Sequence, residues 1–315
     1  MLDKYEETVL VEIARHIVEP GSLVKVAGLV ARPLESVLST VRSGNNPLIQ
    51  RVEKTVSQAA QRGIEKVITT AGSFTKEMNI LQQYQKNRIY LASLGDIKNL
   101  RLEYIDKVAA AYTWDNRALI GAEGVVMGAA TALAEGSIIG TAAVPALITA
   151  DVSLSFAFLA RAVCQTSAIY GYAPRDPLHL PHLLAALVPH QSLTEESYFA
   201  GKGLAVQAIL QSKQFLLQNA GRAMEEKLLR QQAPQLLRLI TFVLSRVGLL
   251  ITEKELALLL PVAGAALNSG ANLLFQEITK KAAKDYFRLL FLEDRYGSEL
   301  IQNRLALEIE RLRRQ

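Results

Sequence analysis

The sequence predicts an all-α protein, a large multi-helix bundle with a central, small-residue-rich apolar helical core. Three observations carry that prediction. Hydrophobic residues make up 50% of the chain but aromatics only 6%, so the apolar content is mostly Ala, Leu, Ile and Val; Ala and Leu are strong helix formers. Apolar residues recur at three- and four-residue spacing through most of the chain. Strict alternation over a β-branched run, the mark of a half-buried strand, is missing. The 315 residues are enough to bury a sizeable core, as a single domain or as two lobes.

The elements follow in order. Over 3–18, Val9, Ile13 and Ile17, with Leu10 beside them, form one helical face, and Pro20-Gly21 stops it. Residues 22–42 read as a second helix, with Pro33 as a start or kink, and Ser43-Gly44-Asn45-Asn46-Pro47 as a loop. Residues 48–93 carry mixed-charge helices broken near Gly72-Ser73; Val52, Val56, Ala59, Ala60, Ile64, Val67 and Ile68 are their apolar faces. Residues 96–112 read as one more amphipathic helix, with Leu100, Tyr104, Ile105 and Val108 as its stripe.

The composition then changes. From Ala118 to Ala160 only Glu123, Glu135, and Asp151 are charged, and glycines recur at 121, 124, 128, 136 and 140, which reads as closely packed helices interrupted near Pro145. A loop follows over 170–177, then short helices edged by His179, Pro181 and His182. Residues 194–232 are helical again, and Pro234 begins or kinks the next segment. From Gln276 a long amphipathic helix runs to a break near Gly297, and a basic amphipathic helix over 301–315 aligns Ile301, Leu305, Ile309 and Leu312.

A spanning helix needs roughly 20 consecutive apolar residues. Residues 136–150 are uncharged but short, and residues 256–276 are long enough but hold Asn268, Ser269, Asn272 and Gln276 around Pro261. Amides in hydrocarbon need partners, so buried core helices are the expectation and membrane insertion the alternative. The net charge of +5 fits attraction to an anionic membrane surface or lipid. No dense basic stripe with interleaved aromatics is present, which argues against a nucleic-acid partner. Cys164 is the single cysteine and can form no internal disulfide. The charged start Met1–Glu7 lacks the features of a secretory signal. A cytoplasmic location, at most peripheral to the inner face of the membrane, is the expectation.

Three blocks then stand out: Asn116-Arg117 followed by Gly121, Ala122, Glu123, Gly124 and Gly128; Ala150-Asp151 with Arg161 and then Ile169-Tyr170-Gly171-Tyr172; and Pro261–Ala266, Asn272, Phe287, Leu292-Glu293 and Arg295-Tyr296-Gly297. In this order and spacing the chain resembles the EcsC protein family. The likeness defines a core over 96–300, preceded by the amphipathic helices of 1–95, within a single helical domain over 1–315. It implies a bacterial protein of a family named for a protein encoded beside an ABC transporter, and no catalytic mechanism to carry over. Where the family pattern usually has Asp after the Tyr-Gly-Tyr block this chain has Ala173, with Asp176 nearby, so a role for that acid does not transfer.

The candidate binding residues are Asn116, Arg117, Glu123, Asp151, Arg161, Tyr170, Gly171, Tyr172, Asn272 and Arg295. Asp151 sits in an apolar run, where an unpaired carboxylate is costly; a helix cap, or a pair with Arg117 or Arg295, is its expected role. Glu123 and Asp151 would also make a carboxylate pair for hydrolysis or a metal, but no His or Cys joins them at ligand spacing. His16, His179, His182 and His190 read as surface or loop residues, Cys164 as a buried small side chain, and Gly171 as a positive-φ helix terminus. No cofactor is implied. The resulting expectation is a non-enzymatic, membrane-associated or lipid-binding protein, with a Glu123/Asp151 hydrolase and a membrane-inserting or pore-forming protein as the alternatives.

Overall fold

The structure, a computed structural model, describes residues 1–18, 47–112, 144–188, 195–258 and 264–315. Among these residues every regular element is helical and there is no strand. The helices are α1 (Lys4–Val18), α2 (Pro47–Thr70), α3 (Glu77–Lys86), α4 (102–112), α5 (Val144–Ile169), α6 (Leu180–Ala186), α7 (Glu195–Gln218), α8 (Glu226–Gln232), α9 (Pro234–Leu258), α10 (Gly264–Tyr296) and α11 (Ser298–Arg313). Short 3-10 turns cover Ala71–Ser73, Leu94–Asn99 and Pro177–His179.

Helix α5 is apolar nearly all round, and such a helix belongs in a core. It packs against α2 on one side and α10 on another; α9 lies against α7 and α2, and α1 rests on α11 and α10. Val152, Phe156, Leu159, Val163, Cys164 and Ile169 of α5 are buried. Pro145 sits in the first turn of α5, where a missing N–H costs nothing, so the expected interruption is a helix start. Val9, Leu10 and Ile13 of the predicted α1 face and the whole predicted face of α2 are buried, with Ile17 partly covered, and Ile301, Leu305 and Ile309 of α11 are buried too. The small-residue stretch before α5 and the segment around Pro261 lie largely outside the described residues.

Close approach falls at a glycine the sequence did not flag. A Cβ on Gly63 of α2 would sit 2.4 Å from Cγ of Phe156, so hydrogen alone lets α2 meet the α5 ring.

The stretch expected as one helix over 96–112 is divided. A Ser93–Asp96 capping box starts the 3-10 turn, Leu100 is extended, and α4 begins at 102. Arg295 explains the break: its Nη2 donates to the carbonyls of Lys98 at 2.9 Å and Leu100 at 2.7 Å, acceptors that a continuing helix would give to its own N–H groups. Ile105 and Val108 of the predicted stripe are inside, joined by Leu102, whereas Tyr104 of that stripe is exposed.

One substitution made at two glycines should have opposite effects. Gly63→Ala forces a clash with Phe156 and should lower stability by about 1–3 kcal/mol. Gly203→Ala, in an exposed part of α7 with nothing within 4 Å of the new methyl, should raise it by about 1 kcal/mol. Urea unfolding of both variants checks the signs.

Candidate functional site

The described polar groups concentrate where the C-terminal half of α10 meets α1, α4 and the turn that ends α5. That turn is Tyr170-Gly171-Tyr172. The Tyr172 N–H donates to Ser167 O at 2.8 Å and the Gly171 N–H to Ala168 O at 3.1 Å, and Gly171 has φ +84. This is a Schellman termination, which favours glycine. A Cβ on Gly171 would stand 3.1 Å from Leu94 O, so the turn also lies tight against the 3-10 turn of Leu94–Asn99.

The two tyrosines diverge into separate clusters. Tyr170 donates to Asp106 Oδ1, which also accepts from Arg288 Nε at 2.9 Å. Oδ2 of Asp106 accepts from Tyr5 at 2.7 Å and pairs with Arg288 Nη2 at 2.7 Å. A carboxylate has about four lone-pair sites, and all four are filled. The side chains of Asp106 and Arg288 are each only 4% exposed. Burial, and then the charge of Asp106, hold the Tyr170 phenol well above its ordinary range, so it remains a donor. Arg288 also meets Glu12 at 3.0 Å, and His16 Nδ1 lies 2.7 Å from Asp285.

In the second cluster Tyr172 donates to Asp294 Oδ2 at 3.0 Å. Lys98 pairs with the same oxygen at 3.0 Å and lies over the Tyr172 ring at 4.2 Å. Its carbonyl is one of the two held by Arg295, whose Nη1 is 3.6 Å from Glu6. Glu6 also accepts from Tyr296 at 2.8 Å and from the Asp3 N–H at 2.9 Å, closing a capping box on α1. Beside these groups Lys202 of α7 pairs with Glu293 at 2.7 Å, both buried, and burial pulls the Lys202 ammonium below its usual range while Glu293 opposes.

The structure thus brings Tyr170, Gly171, Tyr172 and Arg295 to one region. Among the described residues Arg295 meets the carboxylate of Glu6. Arg161 lies half-buried on α5, with no ion pair or side-chain hydrogen bond seen among the described residues. Asp151 and Asn272 fall on α5 and α10, but their side chains lie outside the description; Asn116, Arg117 and Glu123 lie outside the described residues altogether. Cys164 is buried and its thiol is pushed up to about 12 by desolvation. Asp176 caps the 3-10 turn after it, accepting from the Leu178 N–H at 2.9 Å.

The surface expectation for the histidines is corrected at His182. It is buried in α6, its Nδ1 shares a 2.8 Å hydrogen bond with the Tyr286 hydroxyl, and burial followed by the Lys202 charge lowers its pKa to about 3. The apolar run Leu180–Ala186 that carries it packs against α7, so its imidazole is desolvated with its neighbours.

Sequence reasoning missed Glu6, Asp106 and Arg288. The signal was available: Glu6 is in phase with Val9, Leu10 and Ile13, Asp106 with Leu102, Ile105 and Ala109, and Arg288 with Phe287, Phe291 and Leu292 on the buried face of α10. A charge on a core face must be paired.

A cleft of about 430 Å³ opens between the end of α2, the 174–177 turn and residues 216–224. Arg175 spans it, with Nε donating to Gly72 O at 3.1 Å. No group of three or more His, Cys, Asp or Glu among the described residues is arranged to hold a metal.

The arrangement defines an all-helical protein whose described buried charges are largely joined to one another. A family model described as the EcsC protein family matches residues 33–292. The chain belongs to that family. Comparison with curated proteins and with solved structures finds no match.

Two predictions follow from the clusters. Asp106→Asn removes the two-nitrogen partner of Arg288, which keeps Glu12 at 3.0 Å and Asp285 at 3.7 Å, and should cost about 3 kcal/mol in urea unfolding, whereas Tyr170→Phe should cost about 1–2 kcal/mol. The second concerns acid. His182 binds its proton at about 3 in the fold against 6.5 when unfolded, so the unfolded chain holds an extra proton between those values. Stability must fall as pH falls through that window, by up to about 1.4 kcal/mol per pH unit. His182→Gln should flatten that dependence in urea midpoints measured across the window.

Proposed function

We propose that this protein is non-enzymatic and works as a peripheral component of an anionic membrane surface, beside or in support of a membrane transporter. The observation that carries the reading is how the charge is divided. Glu6, Asp106, Asp285 and Glu293, the buried acids of the seam, are held by Arg295, Arg288, His16 and Lys202, and a carboxylate engaged in this way is a poor general base. The chain as a whole keeps a net charge of +5, which draws it to anionic lipid.

The hydrophobic balance agrees. The mean hydropathy is +0.16. Among the described residues, Ile148–Ile169 is long and apolar enough to cross a membrane, but 71% of that window is buried against the rest of the protein. A helix so covered favours peripheral docking over spanning, since leaving the bundle would expose α2 and α10 surfaces that α5 now covers.

Sedimentation with vesicles tests the reading. The protein should pellet with phosphatidylglycerol-containing vesicles, pellet less as salt rises, and leave an encapsulated dye in place. Equal, salt-independent recovery with phosphatidylcholine alone, or no binding to either, would remove it. Dye release would favour the membrane-inserting alternative.

A further inference from the structure

We infer that the outward face of α7 is the surface that docks on the anionic bilayer; the inference rests on the membrane reading above and assigns it a place. Helix α7 is apolar on two sides. Its inner side, with Ala205, Ala208, Phe215 and Leu216, is buried and accounts for its packing on α9 and α6. Its outer side carries Val206, Leu210 and Leu217, exposed by 39%, 70% and 51%. Their separations of four and seven residues place them along one helix face, and they stay outward although Ser212 departs from helical geometry with φ −119. Among the described residues no element covers these side chains, and leaving them in water gains nothing.

The charge around them selects the occupant. Glu195 and Glu196 open α7 and Glu225 and Glu226 follow it, but residues 197–224, which hold the three exposed apolar side chains, contain no acidic side chain. The exposed ionic groups there are the cations Lys213 and Arg222, while Lys202 is turned inward to Glu293. The rest of the outer face is made of neutral amides such as Gln207 and Gln211, which bond to each other at 2.8 Å. Leucines that reach the headgroup boundary, flanked by cations and free of acids, match an anionic lipid surface. Helix α11 also exposes Leu300 and Leu307, but there Glu299, Glu308 and Glu310 are interspersed with Arg304, Arg311 and Arg313, and Glu308 and Glu310 pair with Arg311 and Arg314, so its leucines lie among both signs of charge.

The test uses the full chain and vesicles of mixed phosphatidylglycerol and phosphatidylcholine. Leu210→Glu/Leu217→Glu should lower the partition coefficient at least about tenfold, and Leu300→Glu/Leu307→Glu should leave it within about twofold of the parent. Both pairs are exposed, and matching urea midpoints confirm that folding is intact. A second readout asks for contact itself. Cys164 is buried, so an environment-sensitive thiol dye on Leu210→Cys reports that one position; its emission should shift to the blue when vesicles are added, and the same dye on Leu307→Cys should not shift. If the parent chain does not bind the vesicles, the membrane reading itself fails. If the parent binds and the α7 pair binds equally well, the reading survives and the assignment to α7 is overturned. If sedimentation without lipid shows a dimer that only the α7 pair dissociates, the face belongs to a second copy of this chain and the assignment is likewise overturned.

Discussion

The paired charge of Asp106 and Arg288 is the constraint on which the arrangement of the described helices depends. Taking a carboxylate and a guanidinium out of water is costly, and the cost is offset only when geometry is good and the remaining hydrogen-bonding capacity is filled. Here Arg288 grips Asp106 with two nitrogens, and the phenols of Tyr5 and Tyr170 complete the carboxylate. The partners come from α1, α4, the end of α5 and α10, so each helix can sit in one position only if the others do. Arg295 extends the same logic about two turns further along α10, by taking the two carbonyls that separate the 3-10 turn from α4.

Tyr170 and Tyr172 show how a local signal and a tertiary one combine. Gly171 ends α5 for a reason the chain states locally, its tolerance of positive φ. What the flanking tyrosines then touch is set by residues far away in sequence, Asp106 on one side and Asp294 on the other. The turn is therefore a hub between the core helix and the ionic seam, and its hydroxyls serve the fold.

The helical class, the apolar faces of α1 and α2, the Gly297 break and the Gly171 terminus were legible because each rests on periodicity or backbone chemistry within a few residues. The partners of the buried charges were not legible, because pairing depends on which distant faces meet. Asp106 and Arg288 are 182 residues apart, and no spacing rule joins them. Their being charged in phase with core residues was a sign that they are paired, but not with whom. The division of 96–112 was hidden for the same reason, since Arg295 causes it from the other end of the chain. His182 read as a loop residue because prolines flank it, whereas the leucines around it decide its burial.

A seam of this kind organises a fold and leaves its chemistry inward, so interaction with the outside must use the surface. A double-mutant cycle between Asp106→Leu and Arg288→Met, read by urea unfolding together with vesicle binding, tests that claim most directly. The account predicts a coupling of about 2 kcal/mol or more, a double variant more stable than either single, and vesicle binding retained by the folded double variant. Additive, small losses in stability with binding abolished would contradict it, and would place the pair in the working surface instead of the frame.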